Sequence, residues 1–281
     1  MSVKVKNLSF QYDKGIKVLK DVSFEIKKGE FVGIMGHTGC GKSTLIQLIS
    51  GLLTPTSGNI YIDDEDINHK KYDRALLRQK VGIVFQYPEY QLFETTVEKD
   101  VAFALKNNKF SQKEIKERVR WALEMMGFSY EDIRKKSPLS LSGGEKRRVA
   151  IAGVIVSQPH ILIFDEPIAG LDPYGRLEFL KLVKALHQQG TTIIMVSHNI
   201  DILCEYTQKM LVFHQGQLIT NESTKDIFNN LDFLSKYQME TSQIRHISQK
   251  LYERGFIVSP YITNYQEFIN EVKDVLNRGQ L

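Results

Sequence analysis

Gly36-His37-Thr38-Gly39-Cys40-Gly41-Lys42-Ser43 decides the fold. The stretch has the form G-x-x-x-x-G-K-[ST]. Before it lies a short apolar run, Phe31-Val32-Gly33-Ile34-Met35, of the kind expected for a strand buried on both faces. After it comes Thr44-Leu45-Ile46-Gln47-Leu48-Ile49, helical in propensity and ended near Gly51. Strand, Gly-rich turn and helix in that order open a parallel α/β unit. The spacing has a chemical reason. Glycines let the backbone curl until successive N–H groups face phosphate oxygens, and the following helix directs its positive dipole end to the same place. Gly36 to Gly41 with Thr44 would then wrap the phosphates of a nucleotide. Lys42 would reach the β- and γ-phosphates, and the Ser43 hydroxyl would ligate Mg²⁺. The plainer alternative is a Gly-rich surface turn, and the strand and helix on either side argue against it.

Working outward, Val3, Val5 and Leu8 alternate with polar residues, as do Val22, Phe24 and Ile26, so the first thirty residues read as paired strands. Val81-Gly82-Ile83-Val84-Phe85 reads as another buried strand. Residues from about 87 to 140 change character. Ser111-Gln112-Lys113-Glu114 is a capping-box pattern. Behind it Ile115, Val119, Ala122, Leu123 and Met126 fall at helical spacing, with Gly127 placed to end the helix. Trp121 and the Met125-Met126 pair are read as packing residues. Alternation then resumes, with a helix over 149–156, a buried strand over 161–164, an amphipathic helix over 177–186 and a strand over 191–196. The pattern predicts a mostly parallel α/β sheet. The tail from about 221 is polar and dotted with aromatics, and 265–275 is its clearest helical patch.

A second chemical feature sits where the 161–164 strand ends, at Asp165-Glu166. Asp165 at such an edge can hold Mg²⁺, directly or through water. Glu166 can face the γ-phosphate and polarise an attacking water. A third is Leu141-Ser142-Gly143-Gly144-Glu145, just ahead of the helix carrying Arg147, Arg148 and Val149. Two glycines, a hydroxyl and a helix N-terminus make a second anion site of different design.

Composition sets limits on partners. The 281 residues carry 37 Lys and Arg against 33 Asp and Glu, a net +4, with no run of five basic residues, so nucleic acid is not expected. Two cysteines give no disulfide framework. The start, Met-Ser-Val-Lys-Val-Lys, has no apolar core for a secretory signal. The longest apolar run, 149–156, is far short of the ~20 residues a membrane span needs.

The joint occurrence of these motifs resembles the ATPase domain of ABC transporters, whose signature is L-S-G-G-Q; here Glu145 replaces the Gln. That resemblance covers residues 1 to about 225 and implies the P-loop ABC-ATPase fold, with an antiparallel β subdomain, a helical subdomain over about 87–150 and an ATPase domain over 1–228. It implies ATP and Mg²⁺ as ligands. Gln86 would be the Q-loop residue near Mg²⁺ and water. Ala169-Gly170-Leu171-Asp172 resembles the D-loop that reaches across a dimer. His198, after Ser197, resembles the switch histidine at the γ-phosphate, and Tyr12 the ring that stacks on adenine. In this family ATP on the phosphate loop of one subunit is capped by Ser142, Gly143 and Gly144 of another, so a dimer is implied.

Gln86-Tyr87-Pro88-Glu89-Tyr90-Gln91-Leu92-Phe93, followed by Asp100-Val101-Ala102-Phe103, resembles the ATPases of energy-coupling-factor (ECF) transporters, which import vitamins and metal ions. Gly-His-Thr-Gly and Gln-Leu-Phe resemble the second of two paralogues that pair as a heterodimer. The implied partners are a second ATPase subunit, a transmembrane scaffold whose coupling helices dock beside Pro88-Glu89, and a small substrate-binding membrane protein. Glu89 or a neighbour would meet a basic residue of the scaffold. The implied location is the cytoplasmic face of the membrane. Residues 229–281 would be a C-terminal extension used in dimerisation, or an accessory domain on its own core. The weighed alternatives are a conventional ABC transporter ATPase, a non-transport ABC ATPase and a P-loop small-molecule kinase.

Overall fold

A computed structural model describes residues 2–13, 15–106 and 110–277. The chain opens with β1 (Val3–Gln11) and β2 (Lys17–Ile26), then β3 (Phe31–Gly36) and α1 (Lys42–Ile49) on either side of the Gly-rich turn. Next come β4 (Ser57–Ile62), the two-residue β5 (Glu65–Asp66), α2 (Arg74–Lys80) and β6 (Val81–Val84). A helical region follows: α3 (Val97–Ala102), α4 (Gln112–Met125), α5 (Tyr130–Ile133) and α6 (Gly143–Ile155). Strand and helix then alternate through β7 (Ile161–Asp165), α7 (Pro173–Gln188), β8 (Thr192–Val196), α8 (Ile200–Tyr206), β9 (Lys209–His214) and β10 (Gln217–Ser223). Four helices end the described chain: α9 (Thr224–Asn229), α10 (Leu231–Lys236), α11 (Gln243–Glu253) and α12 (Tyr265–Asn277).

The strands make two sheets. One is antiparallel in the order β2-β1-β4-β5; the other runs β10-β9-β3-β8-β7-β6. In the second sheet β9, β3, β8, β7 and β6 are parallel, and only β10 runs against its neighbour. The expected mostly parallel sheet with an antiparallel subdomain is therefore what forms. The strand expected over 81–85 ends at Val84, and β10 takes the first residues of what reads as tail.

Period-2 alternation on the central strands divides the interior. On β3, Phe31 and Met35 point into a core with residues of α4, α6 and α7, while Val32 and Ile34 join a second core with α1 and the antiparallel sheet. β7 and β8 split the same way: Leu162, Phe164, Ile193 and Met195 on one side, Ile161, Ile163, Ile194 and Val196 on the other. That is why these strands read as unbroken apolar runs. Each fully buried side chain of this size is stabilised by roughly 1.5–3 kcal/mol, so the sheet is the rigid member on which the loops are mounted.

The sequence signals at helix ends hold. Ser111 and Glu114 form both bonds of the capping box on α4, and Gly127 follows the last turn in the left-handed region at φ +77°. Beyond residue 229, Leu234 of α10 joins the core shared with the parallel sheet, whereas Val258, Ile262 and Val275 make a small cluster of their own. Among the described residues no helix is long and apolar enough to cross a membrane.

Candidate nucleotide site

In parallel sheets the carboxyl ends of the strands share one edge, and ligands bind in the crevice beyond it. β3 delivers the phosphate loop there and β7 delivers Asp165 and Glu166. β8 ends at Val196, immediately before Ser197 and His198, and β6 ends two residues before Gln86. These segments enclose a cavity of about 430 Å³ lined by Tyr12, Thr38, Gly39, Lys42, Asp165 and His198. Gly41, Ser43, Thr44, Gln86 and Glu166 also line it. Residues up to 186 positions apart in the chain (Tyr12 and His198) thus face one space.

The loop is built to receive an anion. Gly36 has φ +149°, and a Cβ there would lie 2.2 Å from the Phe213 carbonyl oxygen, so no other residue fits. Gly41 has φ +104° and stands at the N-cap of α1, where no side chain caps the helix. The first N–H groups of α1 are therefore left for a ligand. Lys42 is buried, and its Nζ donates to the carbonyl oxygens of Gly36 at 2.6 Å and His37 at 3.1 Å. The ammonium is held in the loop that it would later serve. Cys40 is buried beneath, its thiol pushed up by burial, with Lys42 opposing. His37 points elsewhere: its ring Nε2 lies 3.0 Å from the Tyr237 carbonyl oxygen, just beyond α10.

Opposite the loop, burial pushes the Asp165 carboxyl up, and a hydrogen bond from Ser43 and the charges of Lys42 and His198 pull it back. Glu166 is also pushed up by burial, with His198 opposing. Its backbone is left-handed, φ +48°, which is uncommon for a residue with a side chain. Its N–H donates to the Val196 carbonyl at 3.0 Å, and its Oε2 accepts from the His198 N–H at 3.3 Å. Its other oxygen is buried without a hydrogen bond, 3.5 Å from the His198 Nε2. A carboxylate so placed can take a proton from a water in the cavity. Tyr12 is half exposed; its ring meets Phe10 edge-on at 4.8 Å, and its hydroxyl is 3.3 Å from Thr44 Oγ1.

The residues of the second anion site are not in this cavity. Ser142 caps α6, and Gly143 and Gly144 form its first turn. Glu145 completes a capping box: its Oε2 accepts from the Ser142 N–H at 2.8 Å and from the Ser142 hydroxyl at 2.7 Å. Asp172 caps α7, accepting from the Gly175 N–H at 2.6 Å. Sequence reading misses Val18 on β2, which lines the nucleotide cavity. Val18 follows the Tyr12 turn in an antiparallel pair, and that register is its only signal.

An ABC transporter family model matches residues 19–169. The "Energy-coupling factor transporter ATP-binding protein EcfA2" of Clostridium tetani is 46% identical over 282 residues, covering 99% of this chain and 98% of that protein. The protein of the same name from Clostridium acetobutylicum is 45% identical and is matched over the full length of both. Among solved structures, cbiO1 from Clostridium perfringens, described as part of the ABC transporter complex cbiONQ, superposes with a TM-score of 0.73 at 41% identity, covering 83% of this chain and 93% of that one. The ATP-binding cassette MJ0796, solved as a dimer bound to ADP and Pi, gives 0.70 at 33% identity, covering 79% and 98%.

Proposed function

From the premise that this chain belongs to the ABC transporter family, among its energy-coupling-factor ATP-binding proteins, we propose that it is the ATP-hydrolysing subunit of an importer for a vitamin or metal ion. One observation carries the reading: segments from β1 to β8 converge on a single phosphate-suited cavity, while the Ser142–Gly144 turn stands outside it. Two half-sites of complementary chemistry call for a second ATPase subunit, and a heterodimer fits the paralogue resemblance.

ATP would lie with its adenine against Tyr12 and its phosphates on the uncapped start of α1. Lys42 exchanges the carbonyls of Gly36 and His37 for γ-phosphate oxygens and stabilises the charge that develops there. Glu166 takes the proton of the attacking water as its oxygen bonds to the γ-phosphorus and the bond to ADP breaks. His198 holds that carboxylate, and Gln86 borders the same space. The donor set suits Mg²⁺: Ser43 and Asp165 offer oxygens side by side. Mg²⁺ characteristically takes one or two protein oxygens and completes its shell with phosphate and water. When bound, it would neutralise phosphate charge and orient the γ-phosphate.

The aromatic surface beside the Gln86 turn supports docking of a membrane scaffold. Tyr90 is 84% exposed and Phe93 63%; the ring of Phe93 meets Phe103 edge-on at 4.8 Å. An exposed apolar patch of this kind marks an interaction site. Glu89, on the 3₁₀ turn 88–91, keeps one buried oxygen without a hydrogen bond. The C-terminal extension, with Tyr252, Ile257 and Tyr265 exposed, would add contact between the ATPase subunits.

The test is Glu166→Gln in the assembled complex. ATP binding should survive while turnover falls by on the order of 10²-fold or more. Unchanged hydrolysis would sink the assignment. Co-purification with a small membrane-embedded binding protein would separate the energy-coupling-factor reading from a conventional ABC transporter.

A further inference from the structure

Arg147 lies on α6, five residues after Ser142, and is only 5% exposed. Its guanidinium reaches across to the loop that follows β7: Nη1 donates to the Ala169 carbonyl at 2.8 Å, and Nη2 donates to the Pro167 carbonyl. That loop begins at Glu166. On its other side lies the Tyr87 ring, from the Gln86 turn, at ordinary van der Waals distance, 3.5 Å, from where a Cβ on Gly170 would stand. Glu89 and Tyr87 are the charged and titratable groups acting on the guanidinium, and both favour its charged form against the cost of burial.

Ile168, in the middle of the 167–169 segment, packs into the core shared with Val149, Ile151 and Ala152 of α6, but that packing is incomplete beside Arg147. A cavity of about 370 Å³ separates the start of α6 from α7, with Gly144, Ile151, Leu171, Tyr174 and Phe179 among its walls. Arg147 borders it, and its Nε is buried without a hydrogen bond. Beside that gap the two hydrogen bonds of Arg147 add a polar tie to the apolar contact of Ile168. Two backbone carbonyls also suit a planar fork better than a single ammonium.

We propose that Arg147 is a positioning residue for hydrolysis, holding the 167–169 segment, and through it the Glu166 carboxylate, in register with the helix that presents Ser142 to the neighbouring subunit. The proposal rests on the ATPase reading above. None of Arg147, Pro167, Ala169 or Tyr87 lines the nucleotide cavity. Loss of the tie should therefore affect the step that depends on Glu166 placement and spare nucleotide binding.

The experiment compares Arg147→Ala, Arg147→Lys and Glu166→Gln with the parent in the full transporter complex, with kcat and KM for ATP measured on folded protein. In Arg147→Ala we expect kcat to fall roughly 10- to 100-fold, the scale of a displacement near 1 Å at a reacting group, with KM within about twofold. Arg147→Lys keeps the charge and one carbonyl contact and should fall between. A kcat for Arg147→Ala within twofold of the parent overturns the proposal, as does a parallel change in kcat and KM. If Arg147→Ala does not fold, Arg147→Lys decides: an intermediate kcat at constant KM supports the tie, and full activity refutes it. A parent complex that hydrolyses no ATP refutes the ATPase reading instead, which keeps the two failures apart.

Discussion

The starts of α1 and α6 are both helix N-termini approached through glycines, and they are finished in opposite ways. Gly41 leaves α1 without a side-chain cap, its first turn opening into the nucleotide cavity. α6 is closed by Ser142 and Glu145, so its cap is complete before any phosphate arrives. The difference teaches that an orphan N-terminus is a standing site, whereas a capped one binds an anion by exchange. For the Ser142 hydroxyl to donate to a phosphate it must first leave the Glu145 carboxylate.

The most damaging way to break the comparison is Lys42→Ala. It removes the charge that the open site depends on, and ATP turnover should fall by on the order of 10²- to 10³-fold. Activity near the parent would mean that the loop is not the phosphate site. Ser142→Ala strikes the closed site twice. Loss of the cap should cost about 0.5–2 kcal/mol, lowering Tm by a few degrees, and loss of a hydrogen bond to a charged phosphate should slow turnover roughly 10-fold. A lowered Tm with unchanged turnover would leave Ser142 a cap and nothing more. Tyr12→Ala tests the far end of the open site: a weakened adenine contact should raise KM for ATP by roughly 5-fold, the lower end of base stacking on a half-exposed ring. No change in KM would remove Tyr12 from the site.

The smallest effect, Glu145→Gln, sharpens the contrast through pH. The Ser142 hydroxyl and N–H hold the Glu145 carboxyl below its ordinary value. A depressed folded value means that its stabilisation is fully present above the unfolded pKa of about 4.3 and is lost as pH falls through the folded one. Melting curves taken downward from neutral pH should therefore show the parent losing more stability than Glu145→Gln below about pH 4.3. Equal slopes would show that the box is not formed in solution.

How much of this is legible in sequence depends on how local each signal is. The phosphate loop is contiguous, and its strand, turn and helix are contiguous with it, so residues 31–49 read correctly as a unit. The Ser142–Glu145 box has the same S-x-x-E form as Ser111–Glu114, but the two glycines between them suggest only an anion site. The left-handed backbone of Glu166 leaves no trace in composition, and its N–H and carboxylate bond to Val196 and His198 rather than to sequence neighbours. The turn of His37 toward Tyr237 joins residues 200 positions apart, and nothing near either one announces the other. Arg147 reads as one of two arginines on a polar helix face. Only the folded chain shows that one is buried on carbonyls while Arg148 lies over the Phe128 ring.

The division of the interior by β3, β7 and β8 has a mechanical consequence. Neighbouring residues on one strand belong to different rooms: Val32 and Ile34 wall the chamber behind the phosphate loop, and Phe31 and Met35 wall the one beneath the helical region. The sheet is thus a bulkhead. A substitution at Phe164 or Met195 is felt first on the helical side, and one at Val32 or Ile34 on the side of the phosphate loop. One set of strands serves two cores, and each residue along a strand is answerable to only one of them.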